Sequence, residues 1–311
     1  MRVLLVEPPK VPWPMMGNVV GMSLAKGLTV ETELDPRDQA FLYDHKIEGT
    51  PVLPGVMGLE AFAELSTLLL PEHRVESIDD VQFMVPFKFD RNEPRKARLA
   101  AQFAEVDGQL VAYCTLDGAR TLVNQDEPVV TTHFTATVRL TRDKPEAVQI
   151  EKPIPASGPS VDSNAVYQVY FHGPAYQVLE SAWGGESDTA VGQFAADLPA
   201  NHSPPDMPTR IEPRLIELCF QTAGVYELGV DGRFGLPARI GRVQKLREPR
   251  ITEARLYTVV RHNDGGAGFD ADVVDEAGDV YLRLRDYQTA ELPAAAEAAP
   301  TDPIKAVFRG D

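Results

Sequence analysis

Cysteine is scarce in this chain: two in 311 residues, Cys114 and Cys219, each inside an apolar stretch and with no CxxC pair. That excludes a disulfide scaffold and a cysteine-based zinc site, and leaves two buried reduced thiols. Positive charge is short as well. The 30 Lys and Arg against 46 Asp and Glu give a formal net charge of -16, whereas a general nucleic-acid or anionic-membrane binder needs a basic face. No apolar run reaches the length of a membrane span. The opening MRVLLVEPPKVPWP has too short an apolar run for a signal-peptide core, and no small-residue cleavage site. These absences point to a cytoplasmic protein with neither nucleic acid nor membrane as partner. The rest of the composition, 43% hydrophobic and 24% charged, is that of a globular chain long enough for one large domain or two of average size.

Residues 141–163 are polar and rich in Pro and Ser, and read as a linker between two halves, 26–140 and 164–292. Residues 1–25 read as an N-terminal extension or linker, and the Ala/Pro-rich 293–311 as a C-terminal linker or tail. Such ends suggest a module cut from a longer polypeptide, with a free-standing protein left open. Each half holds one strong helix candidate followed by alternating strand patterns. In the first, GVMGLEAFAELSTLLL precedes VQFMVPFKF, ARLAAQFAEV, QLVAYCTL and VTTHFTATVRL, with Asp107-Gly108 as a hairpin turn. In the second, PRLIELCFQTAGVYELG precedes ARIGRVQKL, ARLYTVVRH, FDADVVDE and DVYLRLRDYQ, with NDGGAG and EAGD as turns. Glu60 and Glu217 on the two helices are separated by the same offset as Ala97-Arg98-Leu99 and Ala254-Arg255-Leu256 on the strands. A match in register with the helices argues for duplication. The expected fold is α+β: two tandem helix-wrapped antiparallel sheets, a double hot dog.

One histidine stands in an unusual frame. His45 begins HKIEGTPVLP, an HxxxGxxxxP arrangement with Gly55 and a helix directly behind it. Gly49 and Gly55 would let the chain approach a substrate, and Pro51 and Pro54 stiffen the loop. A helix N-terminus can hold a developing oxyanion, and a neutral imidazole suits a general base near neutral pH. The competing reading is a turn or capping histidine. The frame favours catalysis.

HKIEGTPVLPG resembles the catalytic-histidine motif of the dehydratase domains of polyketide synthases and polyunsaturated fatty acid synthases. FHGPAYQ at 171–177 is similar to that family's YGPxFQ element, LIELCFQ at 215–221 to its LLDxxxQ helix, and Leu236-Pro237 to its LP element. The resemblance implies dehydration of a 3-hydroxyacyl thioester to the 2-enoyl thioester. It implies His45 as base and Glu217 as its acidic partner, with Gly55, Gln221 and His172 positioning the substrate or its oxyanion. Val52, Leu53, Pro54, Gly173, Pro174, Tyr176, Leu236 and Pro237 would line the substrate tunnel. It further implies an acyl carrier protein and other synthase domains as partners, leaves a homodimer open, and calls for no cofactor and no metal. Two residues depart from the pattern: Glu217 stands where the family has aspartate, and His172 where it has tyrosine.

Glu60 occupies in half one the place of Glu217, but is followed at four residues by Glu64 instead of a glutamine, which suggests a solvated or structural role. Glu217, flanked by Leu218, Cys219 and Phe220, is expected to have its pKa raised by desolvation and to act as acid, or else to position a hydroxyl that His45 protonates. The run PARIGRVQKLREPR is the densest positive stretch, and Arg239, Arg242 and Lys245 in it form a candidate docking site for an acidic carrier protein, set against an ordinary charged strand face. A hot-dog thioesterase, a silent dehydratase-like docking or structural domain, and a double-bond-shifting isomerase stay open beside the main reading.

Overall fold

Alternation along the strands decides which face is inward. Ala97, Leu99 and Ala101 are buried while Lys96, Arg98 and Gln102 are exposed, the period-2 pattern of a sheet wetted on one side. The computed structural model describes residues 13–23, 25–120, 127–151, 153, 158–185, 188–249, 254–263, 268–291 and 301–309. The first half comprises β1 (Asn18–Ser23), β2 (Gly27–Leu34), the short α1 (Ala40–Tyr43), a two-residue hairpin of β3 (Lys46–Ile47) and β4 (Thr50–Pro51), α2 (Gly55–Thr67), β5 (Arg74–Phe83), β6 (Arg95–Val106), β7 (Gln109–Arg120) and β8 (Val129–Thr141). The second comprises β9 (Ser160–Asp162), α3 (Ser163–Val166), β10 (Leu179–Gly184), β11 (Thr189–Phe194), α4 (Pro213–Val230), β12 (Gly235–Lys245), β13 (Leu256–His262), β14 (Gly268–Asp275), β15 (Val280–Glu291) and α5 (Asp302–Arg309).

The strands follow the order β1-β2-β6-β7-β8-β5 in the first half and β12-β15-β14-β13-β11-β10-β9 in the second. Antiparallel pairing of β5 with β12, with Ile240 opposite Val81 and Val243 opposite Ile78, joins them into one 13-stranded sheet. Helix α2 packs on β5–β8, α4 packs on the second half's strands, and the two helices touch. This is the expected double hot dog. Every residue of α2 from Val56 to Thr67 is buried, as befits a helix enclosed by a sheet on one side and its counterpart on the other. The Asp107-Gly108 hairpin forms as read, with both residues at positive φ (51° and 77°) and Val106 paired to Gln109.

Several boundaries differ from the sequence reading. The strand expected over VQFMVPFKF ends at Phe83: the register breaks between Asp79 and Gln82, and Pro86 has no N–H to continue a ladder. In the N-terminal extension, Met15 is fully buried and β1 pairs with β2, so the described part belongs to the domain. In the C-terminal segment α5 packs on α4: Ile304 is fully buried, and the Phe308 ring lies so close to Gly229 that a Cβ there would meet it at 2.4 Å. In the linker, Ile150 N–H donates to the Gly278 carbonyl and Val280 N–H to that of Val148. Residues 152 and 154–157 of the linker, and 264–267 of the NDGGAG turn, lie outside the described residues, as do 1–12 and 292–300.

Candidate active site

His45 follows α1 on a turn whose shape is set by the β3–β4 hairpin, with Glu48 and Gly49 at φ 49° and 77°. Gly49 is therefore needed for its left-handed backbone; a Cβ there would meet nothing within 4 Å, which corrects the expectation that it serves close approach. The chain comes back past the ring, so that Val52 N–H donates to the His45 carbonyl and the Val52 carbonyl accepts from His45 Nδ1 at 2.8 Å. A carbonyl cannot donate, so Nδ1 carries the proton and Nε2 is left with its lone pair. Burial, and then the neighbouring His172, lower the His45 pKa to about 4. The ring is neutral at physiological pH, the form a base requires.

The second motif loop is latched onto the first. Gly173 N–H donates to the Asp44 carbonyl at 2.7 Å and Ala175 N–H to Asp44 Oδ2 at 2.9 Å; a Cβ on Gly173 would lie 2.5 Å from Asp44 Oδ1. His45 and His172 form an isolated antiparallel bridge, with ring centroids 5.3 Å apart. Phe171 stacks on His172 at 4.3 Å and meets His45 edge-on at 5.1 Å.

Helix α4 supplies the acid side. Pro213 occupies its first turn, where a missing N–H costs nothing, and Glu217 and Gln221 lie one turn apart on the same face. Glu217 Oε1 is 3.1 Å from His172 Nε2 and accepts from Gln221 Nε2 at 2.9 Å. Gln221 is itself held at both ends of its amide. Its Nε2 also donates to the Tyr176 carbonyl, and its Oε1 accepts from Tyr167 Oη at 2.7 Å, while Leu179 N–H donates to that hydroxyl. The expectation of a raised Glu217 pKa is overturned. Burial alone would raise it, but the hydrogen bond and charge of His172, then His45 and Gln221, outweigh burial and lower it.

These groups open onto one cavity of about 280 Å³, at the small end for a ligand pocket. His45, His172, Glu217 and Gln221 are set in a wall that includes Phe83, Phe134, Phe220 and Tyr287, and Val52, Leu53, Gly55, Leu236 and Pro237 line it too. Exposed Met84 and Val85 stand at its mouth. Gly55 opens α2, so its N–H has no intrahelical acceptor; Phe83 packs so tightly there that a Cβ would meet the ring at 2.6 Å. Pro54, Gly173, Pro174 and Tyr176 do not line the cavity: Pro54 caps α2, Gly173 and Pro174 form the turn held by Asp44, and the fully buried Tyr176 lies behind His45 at 6.0 Å. Sequence reasoning missed Asp44, Tyr167 and the aromatic wall. Asp44 directly precedes the motif histidine, a signal within reach.

The first half's counterpart is closed. Glu60 and Glu64 are fully buried, not solvated: Glu60 accepts from the N–H groups of Arg210 (2.5 Å) and Ile211 (3.0 Å), and Glu64 from that of Met15 (3.0 Å). Burial raises both pKa values, and the proximity of Glu60 adds to the rise at Glu64. Both carboxyl groups are thus committed to backbone donors, Glu60 to those of the second half and Glu64 to that of Met15. The proposed docking run is also neutralised. Arg242 is held by Asp79 at 2.8 Å, Arg239 by Asp286 at 3.1 Å, and Lys245 by Glu248 at 2.9 Å. These residues form a paired strand face and present no free positive patch, and Arg250 lies outside the described residues. Both cysteines are buried, with their thiols pushed up to about 12.

Two family models match the chain. Residues 145–299 match the polyketide synthase dehydratase N-terminal domain, and residues 14–113 the polyketide synthase dehydratase domain. The chain belongs to the polyketide synthase dehydratase family. Its dehydratase fold is shared by the dehydratase domain of the polyketide PpsC from Mycobacterium tuberculosis (TM-score 0.68, 22% identity, 90% of this chain and 98% of that one). A trans-AT polyketide synthase dehydratase domain from Brevibacillus brevis is similar too (TM-score 0.73, 18% identity, 91% and 100%). Among curated proteins, the dehydratase chain is 24% identical over 254 residues to a polyunsaturated fatty acid synthase polypeptide of a Thraustochytrium species, covering 77% of this chain. It spans 8% of the length of that relative. No helix among the described residues is long and apolar enough to cross a membrane.

Proposed function

We propose that this dehydratase removes water from a 3-hydroxyacyl thioester delivered on an acyl carrier protein, giving the 2-enoyl thioester during polyketide or fatty acid assembly. One observation carries the reading: His45 with a bare Nε2 and Glu217 with one oxygen fixed by two neighbours lie on different halves of the duplication, yet open onto one apolar cavity. The thioester makes the α-proton acidic, and His45 Nε2 accepts it. The Gly55 N–H at the start of α2 is the donor proposed for the enolate oxygen. On the other side of the substrate, Glu217 holds the β-hydroxyl. The α C–H and β C–O bonds break, the double bond forms, and the hydroxyl leaves as water with one proton. Only protons and a hydroxyl move, so the reaction as written uses no redox cofactor. The length of the synthase relative supports a setting among other synthase domains, and the carrier's pantetheine arm suits the apolar mouth at Met84 and Val85.

Product analysis tests this. The wild-type domain is incubated with one 3-hydroxyacyl thioester, carrier-bound and as a small soluble analogue, and the products are weighed by mass spectrometry. The expected product is the intact thioester lighter by one water. Free acid would make the protein a thioesterase, and unchanged substrate in both forms would indicate a silent domain.

A further inference from the structure

Glu217 poses a difficulty for the reaction proposed above. A carboxyl group held ionised has no proton for a leaving hydroxyl, and the mechanism must find one nearby. His45 is not the store in the resting enzyme, because its Nδ1 proton is committed to the Val52 carbonyl and its Nε2 is the base. No Lys or Arg lines the cavity among the described residues. The titratable groups about Glu217 are His45 on its turn, Tyr167 and Tyr170 ahead of His172, Tyr176 behind His45, and Tyr287 on β15, with exposed Glu291 at the rim. Burial raises the pKa of all four tyrosines, so they stay neutral and give up no proton. His172 is what remains. Its side chain is 5% exposed, its Nε2 lies 3.1 Å from Glu217 Oε1, and its Nδ1 is buried without a hydrogen-bond partner.

An isolated carboxylate in an apolar cavity is expensive, and a carboxylate paired with a cation is much less so. A pair that is neutral overall therefore retains one more proton than Glu217 would hold beside a neutral ring. Gln221 and His172 both engage Oε1, which leaves Oε2 for the substrate hydroxyl.

We infer that His172 and Glu217 share one proton, and that this imidazole–carboxyl pair, not the carboxyl alone, supplies the proton with which the hydroxyl departs. The β C–O electrons leave with oxygen, the pair gives up its proton to form water, and the pair becomes an anion. His45 has meanwhile become a cation by taking the α-proton, and lies 5.3 Å away between ring centroids. Return of that proton to the pair resets the site with no net exchange. His172 thus acts through Glu217, as a positioning and proton-holding residue, where the resembling family carries a tyrosine.

This inference rests on the dehydration reading, and its test keeps the two apart. The variants are His172→Gln, which retains an N–H for Oε1 but cannot take a second proton, and Glu217→Gln. Imidazole nitrogens are followed by ¹⁵N NMR against pH in wild type and Glu217→Gln, which needs no turnover. The pH profile of kcat/KM on a soluble 3-hydroxyacyl thioester is recorded for wild type and His172→Gln, beside their melting curves. Expected are a His172 titration that moves to lower pH in Glu217→Gln, and a His172→Gln variant that melts normally but loses about 100-fold or more in kcat, together with the basic limb of its profile. A His172 titration indifferent to Glu217, or a His172→Gln variant with wild-type rate and limb, would overturn the shared proton and leave His172 a hydrogen-bond donor only. A wild-type domain that forms no enoyl product would fail the dehydration reading, with proton delivery to a hydroxyl, while the titration still decides whether the pair exists.

Discussion

Glu217→Asp is the most informative single change, because the resembling family carries aspartate at this position and the geometry here does not accommodate it. Removing one methylene withdraws the carboxyl group by up to about 1.5 Å, the length of one C–C bond. Oε1 now lies 3.1 Å from His172 Nε2 and 2.9 Å from Gln221 Nε2. Either contact lengthened by even 1 Å leaves the hydrogen-bond range. Helix α4 has little freedom to follow: Gln221 is tied to the Tyr176 carbonyl, Tyr170 Oη donates to the Gln221 carbonyl, and a Cβ on Gly224 would already sit 2.4 Å from that same hydroxyl. Two hydrogen bonds to a charged group are at stake, each worth about 1.5–3 kcal/mol. Partial relaxation leaves an expected stability loss of about 2–4 kcal/mol. Misplacement of a reacting group by about 1 Å costs roughly 100-fold in rate. The assay is water loss from a soluble 3-hydroxyacyl thioester, followed by absorbance of the conjugated enoyl product, beside thermal melting. An Asp variant with wild-type kcat and melting temperature would refute the argument that His172 and Gln221 hold the carboxyl in place.

Tyr167→Phe removes the hydroxyl that bridges Leu179 N–H and Gln221 Oε1; it should cost about 2 kcal/mol in stability and lower kcat more than KM, and equal kcat in steady-state assays would contradict the orienting role. Asp44→Ala takes away the carboxylate that accepts from Ala175 N–H and leaves Gly173 N–H on the residue-44 carbonyl; it should loosen His172, read as a lower melting temperature and a reduced kcat, and unchanged values for both would show that the side-chain half of the latch is dispensable. Glu64→Gln tests the closed counterpart through pH. Burial raises the folded pKa values of Glu60 and Glu64 above the ordinary 4.5, Glu60 to about 7, so the folded state binds more protons than the unfolded chain. Stability then falls as pH climbs from about 4.5 through about 7. The Gln variant keeps an acceptor for Met15 N–H and should show a flatter melting-temperature profile over that window, whereas a wild-type slope would refute the raised pKa of Glu64.

Much of this architecture was legible because its signals are local. The two helices, the Asp107-Gly108 hairpin and the strands β6, β7 and β12–β15 follow from periodicity and turn residues within a few positions. The pairing of His45 with Glu217 was legible through motif order and through the duplication. What escaped depends on partners distant in sequence. The sign of the Glu217 shift is set by His172 and His45, and desolvation read from its flanking residues points the wrong way. Glu60 read as solvated or structural, and the structural role it has depends on backbone N–H groups of Arg210 and Ile211, which carry no sequence signal. Arg239, Arg242 and Lys245 looked like a positive patch, but Asp286 and Asp79 from neighbouring strands and the nearby Glu248 pair with them. Strand β1 was passed over because its edge position blurs its alternation, exposing Val20 and Met22 at 51% and 69%, and β2 because the consecutive buried residues Leu28, Thr29 and Val30 break the period.

The most direct test of the account is His45→Ala, with water loss from a 3-hydroxyacyl thioester and thermal melting measured on one preparation. The ring is neutral and its Nε2 is bare, so its removal should take away the base; the Nδ1 hydrogen bond to the Val52 carbonyl goes with it, at a cost of about 1 kcal/mol that leaves the protein folded. The predicted result is a loss of dehydration of at least about 100-fold in a protein that still unfolds cooperatively, its melting temperature lowered by no more than the lost hydrogen bond and ring packing account for. Retained dehydration, or loss seen only together with unfolding, would contradict the assignment of His45 as the base.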